Sequence, residues 1–93
     1  MAQQYHHIKV VGATREEELK ALKAGRTYLL IENRSTGPIY VNFDTHADAT
    51  NGIEIASGGN YERENYAPDN LIFIKGTDAA NNQVVNISEG YGL

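Results

Sequence analysis

The sequence has 93 residues, a single-domain length, with a hydrophobic fraction of 41% and a charged fraction of 22% that are ordinary for a soluble globular chain. A chain of this size buries roughly 60–70% of its unfolded surface, enough for one modest core. The net charge is -4 and the eight Lys and Arg residues are scattered, which makes a phosphate backbone a poor partner and argues against nucleic acid. There is no cysteine, which excludes disulfides, thiolate zinc sites and cysteine nucleophiles. A small domain without such staples relies on its core or on partner subunits. No apolar run approaches the ~20 residues of a membrane helix. The N-terminal residues Met1 to His7 lack the basic-then-apolar order of a signal peptide, so synthesis in a cytoplasm without export by that route is expected.

Residues 1–7 are polar and read as a flexible arm. Ile8 and Val10 point one way from a first short strand, Lys9 and Val11 the other, and Gly12 closes it. Residues 14–24, TREEELKALKA, carry the one helical pattern. Thr14 and Glu17 make a capping box, Glu16 and Lys20 stand four apart, Leu19 and Leu22 share a face, and Gly25 suits a C-terminal cap. The competing reading is a strand, because Leu19 and Ala21 also alternate with charged residues.

Residues 27–44 are the clearest stretch. Tyr28 to Glu32 is almost wholly apolar, as in a strand covered on both faces. Ile39, Val41 and Phe43 alternate with Tyr40, Asn42 and Asp44. The turn residues 33–38, NRSTGP, join them, which suggests a β-hairpin with a long loop. A polar loop, 45–52, leads to a short strand around Ile53 and Ile55, then a strong turn at Ser57-Gly58-Gly59-Asn60. Residues 61–66, YERENY, suit an edge strand or an extended strap, with charges that discourage edge-to-edge aggregation. Pro68-Asp69-Asn70 turns the chain, Leu71 to Ile74 is an apolar strand, and Val84 to Ile87 is the last, with Val85 and Ile87 facing in. Six or seven short strands with a turn signal every 8–12 residues predict an all-β, small antiparallel β-sandwich, jelly-roll-like, with one possible short helix near 14–24. The domain is expected over 8–90, with 91–93 as a tail.

Asp44, Thr45, His46 and Asp48, with Asn42 and Asn51 nearby, form the densest set of oxygen-rich side chains, the type calcium uses. Their spacing does not match an EF-hand, and the same residues are standard in turns, so an ordinary loop is the stronger reading and no metal or cofactor is assigned. His6 and His7 are adjacent, so a strand sends them to opposite faces, where they cannot share one ion. His46 lies far off in sequence. Ser57-Gly58-Gly59 lacks the Gly-Lys-Ser/Thr of a phosphate loop and reads as a hairpin turn. No triad order and no carboxylate pair in an apolar setting stands out, which points away from an enzyme. Of the six tyrosines, Tyr5, Tyr40, Tyr61, Tyr66 and Tyr91 are candidate interface residues, because tyrosine is amphipathic and enriched at interfaces; half-buried core positions are the competing explanation.

Residues 26–89 resemble a group of small phage virion proteins. The resemblance lies in Tyr28-Leu29-Leu30-Ile31-Glu32-Asn33, then Gly37-Pro38-Ile39-Tyr40-Val41-Asn42-Phe43, Asn51-Gly52-Ile53, Gly58-Gly59, Ile72-Phe73-Ile74-Lys75-Gly76 and Val84-Val85, in that order. The charged stretch Arg15 to Lys23 departs from the group's plainer β-segment. The resemblance implies a β-sandwich on a virion, made in the host cytoplasm: a capsid decoration or cement protein, or a head-fibre or tail component. It transfers no functional residues. A non-enzymatic protein that binds and stabilises the assembled head, partnered by itself and by the major capsid protein, is the expectation. A homotrimer matches the threefold and quasi-threefold positions of capsid lattices. The alternative is a fibre or tail module that binds host surface carbohydrate. The polar segments 1–7 and 88–93 are candidates to add a strand to a neighbour's sheet edge.

Overall fold

The alternation of apolar and polar residues becomes eight strands in a computed structural model that describes residues 3–22, 24–64 and 70–92. They are β1 (Gln3–Val11), β2 (Glu16–Leu19), β3 (Arg26–Asn33), β4 (Ile39–Phe43), β5 (Ile53–Ile55), β6 (Asn60–Glu64), β7 (Ile72–Gly76) and β8 (Gln83–Tyr91). One sheet has the order β1-β8-β3-β6 and the other β2-β7-β4-β5, and every pairing is antiparallel. Every connection but β4–β5 crosses from one sheet to the other, and β7 and β8 take central places in their sheets. That order is the double Greek key of a jelly roll. The small antiparallel sandwich expected from the sequence is therefore the fold, with eight strands rather than six or seven.

The core is apolar at its centre. Val11, Leu29, Ile31, Val85 and Ile87 from the first sheet meet Leu19, Ile39, Val41, Ile55, Ile72 and Ile74 from the second. Phe43 and Tyr61 pack on the rim of this cluster, with ring centroids 5.9 Å apart. The period of two explains the register. In β8 the inward series runs Gln83, Val85, Ile87, Glu89, Tyr91, opposite Asn33, Ile31 and Leu29 of β3.

Several expectations are corrected. The 27–44 stretch is not a hairpin: β3 and β4 belong to different sheets, and residues 34–38 carry the chain across the sandwich edge. Both strands need a buried face, and stacking them in opposite layers buries Leu29, Ile31, Ile39 and Val41 against one another's sheets. Ser57-Gly58-Gly59 also joins two layers, β5 to β6, and Gly58 takes the left-handed φ of 77° that the tight crossing requires.

Residues 14–24 are not helical where described, and the strand reading holds for β2. A helix would bury Leu19 and Leu22 together, whereas Leu19 is 7% exposed and Leu22 53% exposed. Pairing with β7 sets Leu19 beside Ile72, and the Gly12–Arg15 turn brings the chain into that pairing. Tertiary pairing outweighs the local helical pattern here.

Residues 3–7 are not a loose arm but the first half of β1, paired with Tyr91 to Ile87. Tyr91 likewise belongs to β8 rather than to a tail. β6 is an edge strand, as expected, over Asn60–Glu64. Tyr66 and the turn residues Pro68 and Asp69 lie outside the described residues. Among the described residues no helix is long and apolar enough to cross a membrane.

Candidate functional site

The polar side chains inside the sandwich gather at its two ends. At one end, Gln83 of β8 is 1% exposed and bridges two loops. Its Oε1 accepts the Thr77 and Asp78 N–H groups at 2.6 and 2.9 Å, and its Nε2 lies 3.1 Å from Ser35 Oγ, Gly37 O and Pro38 O. Asn33 of β3 donates from Nδ2 to Gly37 O and Ile55 O, and its Oδ1 accepts from Ser35. These two amides tie the layers together where the apolar core stops. Each side-chain polar atom of these two amides has partners, as burial demands.

At the opposite end, the inward series of β8 continues into Glu89 and Tyr91. The Glu89 carboxylate is fully buried. It accepts from Arg26 Nε at 2.9 Å, from Tyr91 OH at 3.0 Å and from His7 Nε2 at 2.6 Å, and Arg26 Nη2 lies 2.7 Å away as an ion pair. Tyr91 OH also accepts the Leu22 N–H at 2.9 Å, which fastens the β2–β3 connection over the cluster. Parity along β3 would send Arg26 outward with Tyr28. The register shift between Arg26 and Tyr28 turns it inward instead. One carboxylate thus joins β1, β3 and β8, and a buried charge with this many charge-assisted bonds is compensated.

The outer face of the β1-containing sheet is the exposed counterpart. Cross-strand rows place Val10 beside Val84, Ile8 beside Asn86 and Glu32, and His6 beside Ser88, Leu30 and Glu62. Ile8 is 70% exposed and Val84 38%. His6 Nδ1 and Ser88 Oγ are hydrogen-bonded at 2.9 Å. His6, Ile8, Glu32, Arg34, Asn86 and Ser88 line a groove of about 390 Å³ on this face. Elsewhere on this sheet, Tyr28 OH donates to Glu62 at 2.6 Å, and this bond to the carboxylate pushes the phenol up to about 12.

The residues singled out from sequence are dispersed. His6 and His7 do face opposite ways, one to Ser88 and one to Glu89. His46 is bonded to Glu16 at 2.5 Å and its ring lies against Phe73. The oxygen-rich loop serves its own backbone. Asp44 accepts from Asn70 and from the Leu71 N–H, and Asp48 accepts from Thr50 and Asn51. The Thr50 N–H holds the Asp48 carboxyl below its usual range, and the Asn81 N–H does the same for Asp78 in the last loop. Among the described residues no three His, Asp or Glu side chains converge as a metal site would require.

Of the tyrosines, Tyr5 is 37% exposed and lies edge-on to Tyr91, whereas Tyr91 is 2% exposed and belongs to the core rather than to an accessible interface. Tyr40 is half-buried on the outer face of the second sheet, and Tyr61 is half-buried against the core. The Glu89 cluster was not anticipated. Its signal in the sequence is the alternation Val85-x-Ile87-x-Glu89-x-Tyr91, which continues past the apolar residues.

The class these features define is an eight-stranded jelly-roll sandwich with polar closures at both ends. No protein-family model matches the chain, and no curated protein matches it. Among solved structures it is similar to a chain of the Bacillus endospore appendages, described as a novel family of disulfide-linked pili, with 18% identity and a TM-score of 0.56 over 100% of this chain and 88% of that one. It is also similar to PirA, with 15% identity and a TM-score of 0.61 over 91% of this chain and 93% of that one. At these identities the likeness is one of fold.

Proposed function

We propose that this protein is a non-enzymatic structural component that works by assembling with copies of itself and with a larger particle. The observation that carries the reading is the outer face of the β1-containing sheet, where Ile8 and Val84 stand exposed, 70% and 38%, on a rigid strand platform. Meanwhile the buried polar side chains Gln83, Asn33, Arg26 and Glu89 act as braces of the fold. Apolar side chains presented in this way suit protein contact. The similarity in fold to a pilus-forming chain is consistent with a building-block role. This 93-residue sequence has no cysteine, so no disulfide formed from it links copies.

In its sharper form the reading is a phage capsid decoration protein, located on the virion and bound to the major capsid protein. The resemblance to virion proteins at Tyr28 to Asn33 and Gly37 to Phe43 supports it. The mechanism is mass action: a protein that binds only the assembled shell and bridges its subunits stabilises that shell. The test is co-sedimentation of the purified protein with expanded capsids stripped of it. Saturable binding is expected; protein left in the supernatant at every concentration would overturn the capsid reading.

A second reading has its own observation. The groove lined by His6, Asn86, Glu32, Arg34 and Ser88 is rich in hydrogen-bonding groups beside the apolar Ile8, a mixture suited to a sugar of the host surface. Hits on a glycan array that are lost in Asn86→Ala would favour it, and an empty array would remove it.

A further inference from the structure

A jelly roll has four edge strands, and three of these are protected. β2 carries Glu16, Glu17 and Glu18, β6 carries Glu62, Arg63 and Glu64, and β5 is three residues long. Charge and shortness are the means by which sheet edges avoid pairing with other chains. β1 has neither. It is nine residues long, QQYHHIKVV, with Lys9 as its one Lys, Arg, Asp or Glu residue, and it ends the order of its sheet. Among the described residues no strand pairs with its outer edge. It is also braced rather than loose: β8 runs along its whole length, and His7 is anchored to the buried Glu89. A strand held straight with one edge open is a ready template for a further strand.

We propose that the occupant is a second copy of this chain, paired antiparallel β1 to β1 about a twofold axis. This rests on the structural-assembly reading above and gives it a contact surface. An antiparallel pair is the arrangement in which one strand meets itself in a closed, isologous interface, without running on into a fibre. The chemistry of β1 suits it. With His7 nearest the axis, Tyr5 of one copy stands opposite Lys9 of the other, and His6 opposite Ile8. The two Lys9 side chains are then four residue positions apart along the pair, so no like charges face each other. On the outer face, the exposed Ile8 and the Val10–Val84 pair of each copy extend into one apolar strip across the junction. Partial cover for that strip is what a single copy lacks.

The experiment is the mass of the purified chain in solution by size exclusion with light scattering, for the natural sequence, Ile8→Lys and Ile53→Lys. Ile8 and Ile53 are both exposed, 70% and 38%, so each variant keeps its core, which circular dichroism checks. The natural chain and Ile53→Lys, a change on the short β5 edge, should run at twice the 10.2 kDa chain mass, and Ile8→Lys at the chain mass. A monomer or a trimer of the natural chain, or a dimer unchanged by Ile8→Lys, would overturn the pairing. Capsid binding is read separately. A monomer that still sediments with capsids defeats the β1 contact alone, and a β1 dimer that ignores capsids defeats the capsid reading alone.

Discussion

Replacing Glu89 with leucine should be the most damaging single change to one polar side chain in this fold. The carboxylate accepts hydrogen bonds from Arg26 Nε at 2.9 Å, His7 Nε2 at 2.6 Å and Tyr91 OH at 3.0 Å, and pairs ionically with Arg26 Nη2 at 2.7 Å. Its own side chain and that of Arg26 are both 0% exposed. Without the carboxylate, the buried guanidinium loses the charge it contacts at 2.7–2.9 Å, and breaking a buried pair in this way costs about 3–5 kcal/mol. For a domain of this size each kcal/mol moves the melting temperature by about 4–8 °C, so a fall on the order of 10–40 °C is expected. The assay is urea unfolding, extrapolated linearly to water. The double variant Arg26→Met with Glu89→Leu removes both charges together. It should recover at least about 2 kcal/mol relative to the sum of the two single variants, because buried pairs replaced by apolar side chains are often tolerated. A Glu89→Leu cost below about 1 kcal/mol, or single-variant costs that simply add, would refute the argument that this carboxylate holds the end of the sandwich together.

Other consequences follow from the same geometry. Gly76→Ala should destabilise by about 1–3 kcal/mol in the same urea assay, because overpacking leaves no relief here. A Cβ at residue 76 would lie 2.2 Å from Gln83 Oε1 and 2.8 Å from the Gly12 backbone. Gln83→Leu should cost about 1–3 kcal/mol for each buried group left without a partner, and should loosen the 34–38 and 77–82 loops in amide exchange. Acid should weaken the fold through Asp48 and Asp78. Both carboxyls are held below their usual 3.8 by backbone N–H groups, so their contribution is present above that value and fades as pH falls through the lower folded value, measured as the urea midpoint against pH. Tyr28 acts in the opposite direction: its phenol is raised from 10.0 to about 12, so its contribution is intact below pH 10 and lost towards pH 12, and Tyr28→Phe should abolish that alkaline dependence.

Period-two alternation made the sandwich legible in the sequence, and with it the inward positions Ile39, Val41, Val85 and Ile87, whereas the apolar run Tyr28 to Glu32 read as covered on both faces and only Leu29 and Ile31 of it are buried in the core. It could not say which strands share a sheet. The 27–44 segment looks the same locally whether its loop folds β4 back onto β3 or carries it across to the other layer. The choice depends on what β8 and β7 later offer as partners. The helical pattern at 14–24 misled because capping and charge spacing are local terms. Those terms are smaller than the pairing of Leu19 beside Ile72. Residues 3–7 looked disordered because they are polar, yet β8 supplies a backbone partner for each. The Glu89 cluster was hidden for a different reason: a charged residue at an inward position reads as the end of a strand, and the bulge that turns Arg26 towards it leaves no mark in composition. The outer-face Ile8 was legible as the side opposite Val11, but its exposure was not.

The proposed stabilisation of an assembled shell is tested most directly by the melting of expanded capsids as purified protein is added. A ligand that binds only the assembled form stabilises it by about 2.7 kcal/mol per site at a hundredfold excess over its dissociation constant. The capsid melting temperature should therefore rise with added protein and continue to climb slowly once the sites are filled. A melting temperature that does not move, with capsids shown to be intact and the protein shown to be folded, would contradict the account.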